Sequence, residues 1–360
     1  MENMRRQLLG MTIEEMKLFA AELGEKPFRG GQIFAWLHRG VTDFEEMTNL
    51  SKALRERLTA GLEAGDFSIG GCRVADVQED RKDGTRKFLF EMETSDFVEG
   101  VFMKYGYGNS LCVSSQVGCR MGCRFCASAL GGFVRNLSAG EMLGQVLAAE
   151  NHVRDEGTDE DPSINHIVVM GMGEPFDNYD NLACFLRLLH DEKGRNMSYR
   201  NMTVSTSGIV PKIIEFSKRN VVNSLAVSLH APNNELRSRL MPINNKYSIE
   251  ELIDAVRIYV SNGNKKVTFA YIMIRDINDS DECAVQLSSL LKGIKCYVNL
   301  IPYNRTSSSS FEKSKKERIA HFFDILKQNG INVTVRREFG GTLNAACGQL
   351  SAEHKRKITK

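Results

Sequence analysis

The sequence predicts an α/β fold: a parallel sheet, open or curled into a partial (β/α)6 barrel, with an N-terminal helical accessory domain and a small antiparallel sheet. Three observations carry that expectation. From about residue 110 onward, short apolar and mostly β-branched runs alternate with helical patterns. Before residue 65 the apolar spacing is helical, and between the two regions lie alternating segments set off by turn residues. At 360 residues, 42% apolar and 26% charged, the chain carries enough apolar material for a sizeable core.

The helical domain is assigned to residues 1–65. Thr12-Ile13-Glu14-Glu15 is a capping box, after which apolar residues recur at helical spacing through Leu23. Short amphipathic pieces follow around Gln32–His38 and Lys52–Leu62. Residues 66–108 form the antiparallel extension, with strands over Phe67–Val74, Thr85–Glu93 and Phe97–Tyr105 and a turn at Lys82-Asp83-Gly84. Residues 109–360 form the core. Its strands are Leu111–Ser115, Ile164–Met170, Met202–Ser205, Ser224–Ser228, Lys266–Ile274 and Tyr297–Ile301. A second capping box, Ser138-Ala139-Gly140-Glu141, opens one of the intervening helices. The acidic run 155–161 before Pro162 is a surface loop. A last strand over Ile331–Arg337 leads into Gly340-Gly341 and Asn344-Ala345-Ala346-Cys347-Gly348.

Composition narrows the function. The first ten residues hold no apolar signal core, and nowhere do eighteen apolar residues run together. A cytoplasmic protein without a membrane anchor is expected. Nine cysteines without a secretory signal argue against a disulfide framework. The net charge of +2 is uninformative, but residues 305–360 carry 12 basic and 5 acidic side chains. That surplus suits a phosphate-facing surface, or equally a solvated helix and a basic tail.

Cys119, Cys123 and Cys126 form a C-x₃-C-x₂-C cluster. Three thiolates suit three irons of a cubane and leave the fourth iron open to another ligand. A structural zinc site is the competing reading, but it wants four closed ligands, commonly as paired C-x₂-C units, and no second pair lies downstream. The distinctive motifs fall at the C-terminal ends of the expected strands, where barrel and doubly wound enzymes build their active sites.

The cysteine spacing, with an aromatic before the last cysteine, resembles the signature of the radical SAM superfamily. Around it, Cys112-Val113-Ser114-Ser115-Gln116-Val117-Gly118-Cys119, Met170-Gly171-Met172-Gly173-Glu174-Pro175, Ser205-Thr206-Ser207-Gly208, Ser228-Leu229-His230-Ala231-Pro232 and Ala345-Ala346-Cys347-Gly348-Gln349-Leu350 closely resemble the RlmN/Cfr family. The resemblance spans the whole chain. It implies a partial (β/α)6 radical SAM barrel, one [4Fe–4S] cluster per subunit on Cys119, Cys123 and Cys126, and S-adenosylmethionine as cofactor. Gly173, Glu174, Ser205, Ser228, Leu229, His230 and Asn304 match the family's cofactor contacts.

The same resemblance implies methylation of adenosine. Cys347 would be methylated first by one S-adenosylmethionine. The 5′-deoxyadenosyl radical from a second would activate that methyl for attack on the adenine ring. Cys112 would then resolve the adduct by forming a disulfide with Cys347, and Glu99 matches the family's proton acceptor. The remaining cysteines, Cys72, Cys184, Cys283 and Cys296, match no functional position. The implied partners are 23S rRNA and tRNA, with residues 1–65 as a candidate RNA-binding element, together with an electron donor such as flavodoxin or ferredoxin. A monomer is expected.

Two alternatives stay open. Val113, Val117 and Asn299-Leu300-Ile301-Pro302-Tyr303-Asn304 look RlmN-like and point to C2 of adenine, whereas Glu338-Phe339-Gly340 leans towards Cfr-type methylation at C8 and antibiotic resistance. Thr342-Leu343-Asn344 also departs from the Asp-Ile-x that often precedes Ala-Ala-Cys in the family. The alternative of another class is a non-enzymatic, metal-stabilised RNA-binding protein. Lys313, Lys315, Lys316, Arg336, Arg337, Lys355, Arg356 and Lys357 are candidate phosphate contacts.

Overall fold

The computed structural model describes residues 6–129, 131–156, 161–219, 224–263, 266–304 and 310–337. Three helices come first: α1 (Ile13–Glu22), α2 (Phe28–Leu37) and α3 (Lys52–Ala64). The Thr12–Glu15 capping box forms at the start of α1, and Gly65 ends α3 in the left-handed conformation at φ 77°.

Among the described residues, ten strands join one mixed sheet. They are β1 (Cys72–Asp80), β2 (Thr85–Met92), β3 (Phe97–Tyr105), β4 (Gly108–Cys112), β5 (Ile164–Val169), β6 (Met202–Thr206), β7 (Ser224–Ser228), β8 (Val267–Met273), β9 (Cys296–Pro302) and β10 (Val333–Val335). They lie side by side in chain order. β1 through β4 pair antiparallel, and β4 through β10 pair parallel.

Two details depart from expectation. The antiparallel strands do not make a separate small sheet but extend the edge of the main one through β4. The first of them begins at Cys72 rather than Phe67. Phe67–Ser68 pairs instead with Arg6–Gln7, in parallel. Gly70 and Gly71, at φ 82° and 99°, turn the chain between the two pairings.

The parallel crossovers carry α4 (Ala139–Asp155), α5 (Tyr179–His190), α6 (Val210–Ser217), α7 (Asn234–Leu240) with α8 (Ile249–Ser261), α9 (Asp281–Leu291) and α10 (Lys316–Gln328). Each strand is added on the same side of the last. Right-handed crossovers therefore place every helix on one face, and the sheet curls into a partial barrel with its other face inward. Burial along β8 shows the two faces. Val267, Phe269, Tyr271 and Met273 are buried, with Tyr271 ring-packed on Phe322 of α10 at 5.3 Å, while Thr268, Ala270 and Ile272 are only half-buried.

Candidate active site at the strand ends

Beyond β4, Gln116–Gly118 pairs antiparallel with Phe133–Asn136 and encloses the thiol loop. The stem closes through Cys119 N–H donating to the Gly132 carbonyl at 3.0 Å. A Cβ on Gly118 would lie 1.8 Å from that carbonyl oxygen, so this closure demands glycine. Inside the loop, Cys126 N–H donates to Cys123 O at 3.1 Å, and Gly122 turns at φ 69°.

Cys119, Cys123 and Cys126 are each half-buried. Burial pushes the Cys119 thiol up to about 12, with Glu174 and Cys126 adding to the effect. Burial pushes Cys123 up as well, and Cys126 and Cys119 raise it further. Three thiols that oppose one another's ionisation need a cation to share their charge, which is what iron supplies. Among the described residues no three His, Cys, Asp or Glu side chains are placed to hold a single metal ion. A cubane takes one thiolate per iron instead, and the donor set fits it.

The exit from β5 crosses tightly over the exit from β4. A Cβ on Gly171 would lie 2.6 Å from Ser114 Oγ, and one on Gly173, at φ 103°, 2.6 Å from Gln116 Cβ. Glu174 follows, buried. Its amide donates to Gln116 Oε1 at 2.9 Å. Its carboxylate accepts from Phe176 N at 3.0 Å, Thr206 Oγ1 at 2.8 Å and Ser207 N at 2.6 Å. Burial raises its pKa, and the bonds from Ser207 and Thr206 pull the other way. A carboxylate has about four lone-pair directions. Three are used here by bonds among the described residues, which leaves one direction open.

Small side chains occupy the neighbouring strands. Ser205 pairs in register with Ala226, Ser228 with Ala270, and Ala270 with Asn299, all on one face of the sheet. Leu229 is buried and holds its amide on Ala270 O at 3.1 Å. His230 sits in the left-handed region at φ 58°. Its Nδ1 accepts from Ile272 N at 3.0 Å, which puts the proton of the neutral ring on Nε2. Burial, with Arg237 nearby, pulls its pKa down to about 3. Its ring stands edge-on to Phe125 of the thiol loop at 4.8 Å. Asn304 lies just past β9 and is exposed.

Cys112 ends β4 and is buried, paired in register with Val101 of β3. Glu99, two residues back on β3, points to the same face. It is 1% exposed, and its carboxylate meets Lys87 Nζ at 3.0 Å. Its carbonyl accepts from the Ser114 hydroxyl at 2.6 Å. Cys347 and the Glu338-Phe339-Gly340 segment lie outside the described residues, as do Lys355, Arg356 and Lys357. The eight described cysteines are all free thiols. Lys315, Lys316, Arg336 and Arg337 are exposed and Lys313 is half-buried.

Four participants escape a reading of the sequence alone. Thr206 and Ser207 bond Glu174, although Ser205 is the motif residue that draws attention. Lys87 lies in a strand with no motif around it. Arg237, fully buried, donates to Ser207 O at 2.6 Å, Asn244 Oδ1 at 3.0 Å, and Leu229 O and Ser228 O at 3.3 Å. The one hint in the sequence is its place between Leu236 and Leu240.

Comparison with known proteins decides the family. Residues 6–63 match the family described as "Ribosomal RNA large subunit methyltransferase N-terminal domain", and residues 113–287 match the "Radical SAM superfamily". The chain is 48% identical to the "Probable dual-specificity RNA methyltransferase RlmN" of Geobacillus kaustophilus, over 98% of this chain and 94% of that protein. It is likewise 48% identical to the protein of the same name from Bacillus licheniformis, over 99% and 96%. The chain belongs to the RlmN family of radical SAM RNA methyltransferases. A crystal structure of a radical SAM methyltransferase from Sphaerobacter thermophilus overlays with a TM-score of 0.89 at 42% identity, covering 96% of this chain and 98% of that one. The RlmN/Cfr resemblance and the partial barrel are thereby borne out, and the reading as a non-enzymatic RNA-binding protein falls. An iron–sulfur cluster and S-adenosylmethionine follow from membership. Among the described residues, no helix is long and apolar enough to cross a membrane.

Proposed function

We propose that this chain methylates C2 of adenosine in 23S rRNA and tRNA, with S-adenosylmethionine and a [4Fe–4S] cluster held by Cys119, Cys123 and Cys126. The observation that carries the reading is the closed thiol loop lying beside a buried carboxylate with one acceptor direction left. When bound, the cluster supplies the electron that cleaves S-adenosylmethionine. The remaining lone pair of Glu174 would take the methionyl ammonium, and Gly173, where a Cβ would strike Gln116, lets the chain bring the carboxylate to that position. Ser205, Ser228 and Asn304 offer polar groups at neighbouring strand ends, with Leu229 and His230 beside them.

An aromatic C–H carbon is a poor nucleophile, so a methyl carried first on a protein thiol is the chemically sensible route. Cys347 is that carrier and Cys112 the resolving thiol. The burial of Cys112 at the end of β4 supports the second role, because a thiol shielded there stays reduced until a partner sulfur reaches it. Glu99 accepts the proton released from adenine. The substrate enters as an unpaired adenosine lifted out of its stack. Residues 1–65 and the exposed cations Lys315, Lys316, Arg336 and Arg337 meet the RNA. The protein works in the cytoplasm as a monomer, reduced by a flavodoxin or ferredoxin. Ribosomal RNA and tRNA from a strain lacking the gene, with and without its return, should differ by 2-methyladenosine against synthetic standards. An 8-methyladenosine product overturns the proposed position.

A further inference from the structure

Arg237 presents an electrostatic problem. Its guanidinium is fully buried, yet every hydrogen-bond partner it has is neutral: three carbonyls and one side-chain amide. Among the described residues no carboxylate pairs with it. A cation buried without an anion is costly, and fixed dipoles offset only part of that.

The helix that carries it is built against the thiol loop. Leu240, one turn further along α7 on the same face, accepts from Arg124 N at 3.0 Å, and Arg124 directly follows Cys123. Just past α7, Pro242 comes within 3.6 Å of where a Cβ on Gly122 would stand. Arg237 itself ties together the exits of β6 and β7 through Ser207, Ser228 and Leu229.

We propose that Arg237 is the buried countercharge of the iron–sulfur cluster, a positioning residue that lays a permanent cation beside Cys123 and clamps the strand exits around the site. The proposal rests on the reading of Cys119, Cys123 and Cys126 as the cluster ligands. Burial draws the Arg237 pKa down to about 10, which leaves it charged at neutral pH, and Cys123 works in the opposite direction. Reduction adds a negative charge to the cluster, so a fixed cation alongside favours the reduced state and raises the potential.

The test uses the full chain, anaerobically reconstituted, as wild type, Arg237→Gln and Arg237→Lys. Iron and sulfide are quantified, the potential is titrated by electron paramagnetic resonance, and apo and reconstituted forms are melted. Arg237→Gln should shift the reduction equilibrium at least tenfold towards the oxidised form, about 59 mV for one electron. It should also shrink the gain in melting temperature on reconstitution, since the apoprotein loses a buried unpaired charge. Arg237→Lys should stay near the wild-type potential. An unchanged potential in Arg237→Gln, or equal melting losses in both forms, overturns the proposal. Should Arg237→Gln fail to fold, the neutral Arg237→Met takes its place in the same titration, where a tenfold shift towards the oxidised form supports the proposal and a wild-type potential overturns it. A wild type that takes up neither iron nor sulfide would sink the ligand reading instead.

Discussion

Glu99 illustrates what one residue's surroundings add to its identity. A glutamate in an alternating strand reads as readily as a solvent-facing charge as it does a proton acceptor. The structure removes the first option by burying Glu99 against Lys87, each 1% exposed on its side chain. A pair like this contributes little net stability, because desolvation offsets most of the attraction. Breaking it leaves a charge in the core. Glu99→Ala is therefore expected to cost about 3–5 kcal/mol in urea unfolding. The double variant Lys87→Met/Glu99→Gln should recover most of that loss. If the single and double variants are equally unstable, the two charges are not coupled. The comparison also guards the activity assay, since a Glu99→Ala protein that fails to methylate has two reasons to do so.

At the level of elements, much of the molecule was legible because local chemistry repeats. The capping boxes Thr12–Glu15 and Ser138–Glu141 form as their spacing implies, and the six β-branched runs all become strands of the parallel sheet. The 81–84 turn closes with Gly84 N–H on Asp80 O at 2.8 Å. Phe67–Ser68 is a strand as its pattern implies but pairs elsewhere, because an alternating pattern does not name its partner and only packing brings Arg6–Gln7 alongside. The thiol loop has the same limit. Its cysteines announce themselves, whereas the need for glycine at 118 comes from a carbonyl fourteen residues away. A Cβ there would sit 1.8 Å from Gly132 O, a contact that backbone cannot relieve cheaply. Gly118→Ala should open the hairpin stem and lower the iron and sulfide bound per chain at least several-fold. Apoprotein melting, measured alongside, separates loss of the stem from loss of the packing that Val117, Cys123 and Phe125 make with the core. Full cluster occupancy in Gly118→Ala would show that the stem does not position the thiols.

Across the whole molecule, the helical N-terminal part and the barrel share one apolar core that runs from Leu8 to Leu326. The contact is made where side chains vanish. A Cβ on Gly140 of α4 would lie 2.8 Å from Gly10 N, and one on Gly144 would lie 2.4 Å from Gly71 Cα. His38, just after α2, is buried at the same junction. Its ring stacks on Phe34 at 3.9 Å, and a Cβ on Gly194 would lie 2.5 Å from Nδ1. Neither ring nitrogen has a hydrogen-bond partner among the described residues. Burial first, and Arg195 second, pull the His38 pKa down to about 3. Below pH 6.5 the unfolded chain takes up a proton that the folded chain refuses until about pH 3. Each such histidine therefore removes about 1.4 kcal/mol of stability per pH unit across that window, and His230 adds a second contribution of the same sign. Urea unfolding of the apoprotein should show midpoints falling steadily from pH 7 to pH 5. His38→Leu should remove about half of that slope. At pH 7.5 it should melt no lower than wild type, because an apolar group replaces a polar one that bonds nothing. A His38→Leu protein with the wild-type slope would mean that the imidazole finds a proton acceptor at the junction after all.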